Sequence, residues 1–515
     1  MAKNSTNIIN LNLDKETIDL FKHGTIGFEK ESLRVSNLQI SNMPHPISIG
    51  SALCNSYITT DFAEAQLELV TPPFNNKEKA RVFLNDLHHF VSKSIESEIL
   101  WPFSIPPYFN SEDDIRIANY GSSNLGKFKR IYRNGLSHRY GKTMQTISGV
   151  HYNYSFSEQI WNDFANSDKK IFPFENKSEA YISMLRNIYR MNWLILYLFG
   201  CSPILTKNFI AKSNTSFKKL DDQTYYMPNA TSLRMSEYGY SNSSRVKLNL
   251  SINSLDEYIA GLQSATNTSY SKFKNIKDSK GYKAQISPNI LQIDDEYYAV
   301  ARPKSNNLSN QQLSTKLKIS GVDFIELRSL DLNPFSITGI DEEAIIFIEL
   351  FLIFCFFKSS EPIDKEEYDL IANNDLMVSK KGREPKLILN KGSDRITLKD
   401  WSLEILDEIE ITADILSLNT DSLNKIIDSM RMRVKHSELT LSEQLLEKIL
   451  TEKTSFDELG YTIGKSNRDN YSNTSDKSNI NLDQIKREVK NSIEKQKELE
   501  EIDKDYEDFL ADYLS

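Results

Sequence analysis

Two glutamates two positions apart, Glu29 and Glu31, sit in the stretch GFEKESLRV. A second stretch, TTDFAEAQLELVTP, puts Glu64, Gln66 and Glu68 in one parity and Ala65, Leu67 and Leu69 in the other, with Asp61 just upstream. Alternation with period two reads as a strand with one face on a core and one facing something polar. Two further stretches follow the same rule. QTISGVHYNYSF sets His151, Asn153 and Ser155 against Val150, Tyr152, Tyr154 and Phe156, and GVDFIELRSLDLN puts Glu326 and Arg328 on one face. Taken singly, each reads as a solvated edge strand or a structural histidine. Placed in one sheet, they give a face with the five carboxylates of Glu29, Glu31, Glu64, Glu68 and Glu326, six with Asp61, against few cations. Such a face repels itself unless metal ions neutralise it.

Oxygen-rich ligation suits Mg²⁺ or Mn²⁺, whereas Zn²⁺ favours nitrogen and sulfur. Ions of this kind clamp triphosphate oxygens during phosphoryl transfer. Arg234, Arg302 and Arg328 are candidates to neutralise a transferring phosphoryl group or to fix a substrate carboxylate. No GxxxxGK[ST] loop is present, which excludes a P-loop fold. The residues therefore indicate a metal-dependent phosphotransfer or ligase site on an antiparallel sheet, without naming a substrate. Tyr132, Tyr240 and Tyr298 near these strands suit either a hydroxyl-tipped apolar pocket or the core.

The elements that must position these groups follow from periodicity. Residues 12–23 read as a short amphipathic helix, 76–100 as a longer one carrying His88 and His89 as surface or core residues, and 127–140 as a helix with Lys127, Arg130 and Arg133 on one face. An apolar helix over 177–200 ends at Gly200. Residues 290–293 and 297–301 read as strands joined through Asp294-Asp295 as a hairpin. Strands with polar faces alternate with helices through the first 340 residues. That pattern argues for a single α+β catalytic body over 1–463, with its active-site strands within 24–336. Residues 464–480, low in apolar content, read as a mobile linker, and 481–515 as a charged helix with Ile485, Val489 and Ile493 as a thin stripe.

At 515 residues the chain can bury a large core, and its net charge of −9 with interspersed signs argues against a nucleic-acid partner. Cys54, Cys201 and Cys355 are far apart and odd in number, which excludes a disulfide framework or a CxxC metal site and suits a reducing compartment. The N-terminus carries no sustained apolar run of a signal peptide, so sequons such as Asn229-Ala-Thr reflect an asparagine-rich composition. The one membrane candidate, AIIFIELFLIFCFF at 344–357, is 14 residues long and carries Glu349; it reads as a core helix. A cytoplasmic protein without a membrane partner is expected.

At these same residues the chain resembles the proteobacterial glutamate–cysteine ligases, or γ-glutamylcysteine synthetases. The resemblance lies in GFEKESLRV (27–35), TTDFAEAQLELVTP (59–72), YGSSNLGKFKRIYRNGL (120–136), RYGKTMQTISGVHYNYSF (139–156), ATSLRMSEYGYSN (230–242), LQIDDEYYAVARPK (291–304) and GVDFIELRSLDLNPFS (321–336). Beyond about residue 360 it thins to fragments such as Gly382-Arg-Glu-Pro, and no functional residue is carried over there.

The resemblance implies an α+β, glutamine-synthetase-like fold, with an antiparallel sheet curled into a funnel and helices packed outside. It implies ATP as co-substrate and Mg²⁺, or Mn²⁺, as cofactor. The γ-carboxylate of glutamate would be activated as an acyl phosphate and attacked by the cysteine amine. Carried over residue by residue, Glu29, Asp61, Glu68, His151 and Glu326, joined by Glu31, become metal ligands, and Arg234 and Arg328 contact the phosphorylated glutamyl group. Tyr132, Gln145, Tyr240 and Tyr298, with Leu136 and Ile147 as apolar walls, form the cysteine pocket, while Glu64 has no direct role. Glutathione is the implied feedback inhibitor. Two other readings stand beside this one: a ligase of the same fold joining glutamate to another amine, and a catalytically silent metal-binding relative.

Overall fold

The structure is a computed structural model describing residues 15–166, 174–210, 216–240, 248–277, 283–307, 311–502 and 505–514. Its centre is β1, Thr25–Ser36, long enough to serve two neighbours along one polar-apolar alternation. The other strands of the main sheet are β2 (Ile58–Thr60), β3 (Gln66–Val70), β4 (Val150–Ser155), β5 (Ala301–Lys304) and β6 (Phe324–Leu330). Their order is β5-β6-β4-β1-β3-β2, every pairing is antiparallel, and two short strands, Gln39–Ile40 and Ile99–Leu100, extend β1 to make eight. The sheet does not close into a barrel.

One face of this sheet is apolar. Ile26 and Phe28 of β1, Leu67 and Leu69 of β3, Tyr152 and Tyr154 of β4, and Ile325 and Leu327 of β6 are buried in one continuous core. The helices α1 (Lys77–Ser94), α3 (Lys177–Phe199) and α4 (Glu342–Phe357) pack on that side. Helix α4 is the apolar run expected in the core, buried nearly all round; its Glu349 is matched by the Lys77 ammonium. His88 and His89 of α1 are both buried. Because a strand sends alternate side chains to opposite faces, burying this set leaves Glu29, Glu31, Glu68, His151, Glu326 and Arg328 together on the other face.

Several expectations are corrected. Of the helix read over 12–23, Lys15–Leu20 is helical and continues as a 3₁₀ turn, and its start lies outside the described residues. Glu64 does not share the polar sheet face. It precedes β3, and its carboxylate accepts the backbone N–H groups of His45 (2.9 Å) and Asn119 (2.7 Å), holding two loops together. The hairpin at Asp294-Asp295 is instead a 3₁₀ turn, Asp294–Glu296, and the nearby strand pairs with β6. Tertiary bonds decide this: Asp294 accepts from Ser314 N–H (2.7 Å), and Glu296 takes the Tyr140 hydroxyl (2.7 Å) and Arg139 (2.9 Å).

The stretch 464–480 is also not a linker. Helix α5, Phe456–Asn473, runs through its first half. Gly464 leaves room for Ile99, and the Tyr471 ring stacks on His89 with centroids 5.7 Å apart. Asn479 then donates to the Asp86 carbonyl oxygen (3.0 Å). A few well-placed aromatic and amide contacts here outweigh the polar composition. The charged C-terminal helix is two helices, α6 (Leu482–Glu501) and α7 (Tyr506–Leu514).

Candidate active site

Strand register fixes which polar groups meet. Glu31 is paired directly with Glu68 across β1 and β3, and Glu29 with His151 across β1 and β4. Glu326 lies opposite Asn153, and Arg302 opposite Glu326. The result is a row of carboxylates and nitrogens along one face, lining a cavity of about 320 Å³ that opens to solvent.

Within it, two trios of possible ligand atoms lie within 4.8 Å of one another: Glu29, His151 and Glu326, and Glu31, Glu68 and His151. The imidazole stands between the trios. Nδ1 is 3.2 Å from Glu29 and 3.4 Å from Glu326, while Nε2 is 3.9 Å from Glu31. Asn153 donates to Glu29 (2.9 Å), and the Gly149 N–H donates to Glu31 (2.9 Å), so each of these carboxylates is aimed by a neighbour. Glu326 Oε2 is buried and accepts no hydrogen bond, with Lys304 Nζ 3.7 Å away. A buried carboxylate oxygen left over in a cluster of acids is what a hard divalent cation would satisfy, and the donor set, mostly carboxylate oxygen with one imidazole, fits Mg²⁺ or Mn²⁺.

The titration of these groups has the same origin. Burial, then the charges of Glu29, Asp61 and Glu31, pushes Glu68 up to about 8. Burial also raises Glu31. Burial and Arg328 oppose a charge on His151, yet its hydrogen bonds to Glu29 and Glu326 outweigh them and raise it to about 9. Burial works against ionising Glu326 too, but Arg328, Lys304 and His151 hold its carboxyl well below the usual range. Protons on His151 and Glu68 thus supply part of the positive charge that the cluster needs.

The face is not purely acidic. Arg328 donates to Glu326 (2.8 Å), and Arg302, Lys304, Lys129 and Arg133 also line the cavity. Lys129 and Arg133 come from α2, Asn124–Tyr140, four residues apart and so on one helix face with Tyr132 and Leu136. The three-residue spacing groups Arg133 with Lys127 and Arg130, whereas the four-residue spacing is what brings Lys129 to the cavity beside Arg133. Asp61 lines the same cavity, but its carboxylate faces Arg133 at 3.8 Å and belongs to neither trio.

Tyr132, Leu136, Gln145, Tyr240 and Tyr298 meet along one wall. Tyr240 and Tyr298 stack with centroids 4.5 Å apart; their hydroxyls donate to the Ile147 carbonyl oxygen (3.0 Å) and to Met235 Sδ (3.1 Å). Two expected residues are not on the cavity wall. Ile147 is fully buried and contributes its carbonyl. Arg234, 1% exposed, lies under the Tyr240 ring, donates to the Arg328 carbonyl oxygen (2.9 Å), and sits 3.6 Å from Asp331. Its guanidinium occupies the space that a Cβ on Gly149 would need, which requires glycine there.

Comparisons with known proteins give the family. The family model "Glutamate-cysteine ligase" matches residues 9–378. A glutamate–cysteine ligase of Vibrio campbellii is 38% identical over 508 residues, covering 96% of both chains. One from Buchnera aphidicola is 38% identical over 488 residues, covering 93% of both. The crystal structure of the Francisella tularensis glutamate–cysteine ligase in complex with AMP superposes with a TM-score of 0.88 at 32% identity, over 95% of this chain and 97% of that one. A bifunctional glutathione synthetase from Pasteurella multocida shares the fold, with a TM-score of 0.70 at 24% identity over 88% of this chain and 54% of that one. The likeness therefore runs well past residue 360, farther than the motifs alone indicate. The fold is that of a ligase. The chain belongs to the glutamate–cysteine ligase family.

Proposed function

We propose that the chain joins L-glutamate, through its γ-carboxylate, to L-cysteine with cleavage of ATP, giving γ-glutamylcysteine, ADP and phosphate, the first step of glutathione biosynthesis. What carries the reading is the sheet face on which Glu31 opposes Glu68 and Glu29 opposes His151, with Arg328 beside Glu326, in a chain of this family. Glu29, His151 and Glu326, and Glu31 and Glu68 with the same imidazole, would hold Mg²⁺, or Mn²⁺ in its place. Such ions, when bound, draw charge off the triphosphate and hold its terminal phosphate in line.

The chain's own residues supply the rest. A carboxylate is a poor electrophile, and its oxygen a poor leaving group; a glutamyl γ-oxygen attacking the terminal phosphorus of ATP, with ADP leaving, corrects both. Arg328, whose guanidinium reaches the cavity, suits the spread of charge over the transferring phosphoryl oxygens, with Arg302 and Lys304 adjacent. Arg234 acts from behind, fixing the Arg328 backbone and the underside of Tyr240. The cysteine amine then attacks the acyl carbon and phosphate leaves. Tyr132, Leu136, Gln145, Tyr240 and Tyr298 would seat the cysteine, with Asp61 and Arg133 at the edge between acceptor and acids.

Glutathione carries the γ-glutamylcysteine unit and so fits the same two subsites, which makes feedback inhibition competitive with glutamate. Cys54, Cys201 and Cys355 are free thiols, in keeping with a reducing cytoplasm, and among the described residues no helix is long and apolar enough to cross a membrane. The test is mass detection of γ-glutamylcysteine from purified protein with ATP, Mg²⁺, glutamate and cysteine. Phosphate release with another amine but not with cysteine would make it a different ligase, and no ADP with any amine would make it catalytically silent.

A further inference from the structure

The C-terminal helix α7 is given no task by the reaction, yet its end reaches the active site. Tyr513 lines the same cavity as Glu29, Glu68, His151 and Arg328. Its ring lies against Phe128 of α2 with centroids 4.3 Å apart. One turn back, Leu510 is buried against Phe128 and Ile293, with Tyr132 packed at the same cluster. The end of the helix is keyed to the Asp294–Glu296 turn: the Leu514 carbonyl oxygen accepts from Gln312 (3.5 Å), whose own side-chain oxygen accepts from Asp294 N–H (3.3 Å). Glu507 pairs with Lys283 at 2.6 Å, on the loop that leads to the same turn.

These contacts touch two elements of the acceptor wall and nothing of the metal-fitting cluster. Phe128 and Tyr132 are four residues apart on α2, so they share a helix face, and the Asp294–Glu296 turn runs directly into Tyr298. Tyr132 and Tyr298 both belong to the wall assigned to the amine substrate. We infer that α7 is part of the active site of this ligase: it braces the acceptor wall, with Tyr513 as a positioning residue that holds Phe128, and through it Tyr132, against the bound amine. This rests on the reading of that wall as the cysteine pocket.

The test uses the full-length chain with Tyr513→Ala, Tyr513→Phe and, as a control on the pocket itself, Tyr132→Ala. For Tyr513→Ala we expect KM for cysteine to rise about tenfold, while kcat and the KM values for ATP and glutamate change by less than about threefold. Tyr513→Phe keeps the ring on Phe128 and should restore the wild-type value. A uniform loss of turnover with a lowered Tm, and no selective change for cysteine, would make α7 merely structural and overturn the inference. A change confined to the KM for ATP would overturn it as well, moving the helix to the nucleotide. Unchanged cysteine KM in Tyr513→Ala alongside a raised one in Tyr132→Ala would reject the brace and keep the pocket. The reverse pattern would overturn the inference as stated, because the brace is argued to act through Tyr132.

Discussion

Glu31 and Glu68 face one another directly across β1 and β3, two carboxylates on adjacent strands in a register that leaves neither free to turn away. Glu31 has one oxygen committed to the Gly149 N–H and both have moved toward the protonated form, chiefly through burial. Two like charges opposed at this spacing destabilise a sheet. The arrangement is favourable only when something positive comes between them.

Mg²⁺ should therefore stabilise the fold as well as permit catalysis. Melting in excess chelator and in Mg²⁺ should show a higher Tm with the ion, because a ligand that binds only the folded state shifts the equilibrium toward it. Glu68→Gln keeps the shape and removes a carboxyl whose ionisation the fold opposes. It should melt higher than wild type in chelator, gain less from Mg²⁺, and lose about 10²-fold in activity at limiting Mg²⁺. Wild-type turnover in excess chelator would end this account of the acidic face.

The same cluster sets a pH dependence. Glu68 is raised to about 8 from a usual 4.5, so the folded state prefers its protonated form, and its contribution to stability declines as pH rises from the unfolded value to about 8. His151, raised to about 9 from 6.5, contributes stability that is fully present below 6.5 and is lost as pH passes through about 9. Both protons stand where a cation would bind, and binding must displace them. Mg²⁺ affinity, measured from the Tm increment across a pH series, should rise with pH between about 6.5 and 8.5. An affinity independent of pH would mean that the ion binds away from Glu68 and His151.

The polar-apolar alternation of β1, β3, β4 and β6 made their polar-face groups legible in the sequence, since a period of two leaves one choice of face once the apolar set is buried. It failed at Glu64, where the strand had not yet begun and two loop N–H groups claimed the carboxylate. The cations were harder to see. Lys304 and Arg302 share the acidic face only because β5 pairs with β6, a long-range fact that no local pattern contains. Arg234 matched a motif, but its burial against Asp331 follows from tertiary packing. Tyr513, almost 400 residues from Phe128 in sequence, carried no local signal at all.

Arg328 donates from one nitrogen to Glu326 and keeps the rest of its fork near the cavity. Arg328→Lys retains the charge and loses the planar geometry. It should lower kcat about 10²-fold while changing the KM for glutamate little, because the fork is matched to phosphoryl oxygens whose charge is redistributed in the transition state. Steady-state kinetics with glutamate varied at saturating ATP and cysteine separates the two. A variant altered only in its KM for glutamate would make Arg328 a binder of the ground state.

The acceptor wall gives the last expectation. Tyr240 and Tyr298 stack on one another, and both hydroxyl protons are already committed, one to the Ile147 carbonyl oxygen and one to Met235 Sδ. What remains for the substrate from these two residues is ring surface, beside Leu136, Tyr132 and the amide of Gln145. A thiol is a weak hydrogen-bonding group and gains mainly from polarizable aromatic contact. An acceptor with a methyl in place of the thiol, 2-aminobutyrate, should therefore still be joined to glutamate, at a cost of about 1–3 kcal/mol in kcat/KM. Serine should be worse, since its hydroxyl would be desolvated against a wall that has no free donor to offer from these two tyrosines. Tyr298→Phe removes the bond to Met235 and keeps the stack, so the order cysteine, 2-aminobutyrate, serine should survive it. Competition assays with the three amines, read by mass detection of each γ-glutamyl product, decide the matter. Serine outpacing 2-aminobutyrate would show a polar pocket and dismiss these tyrosines as its walls.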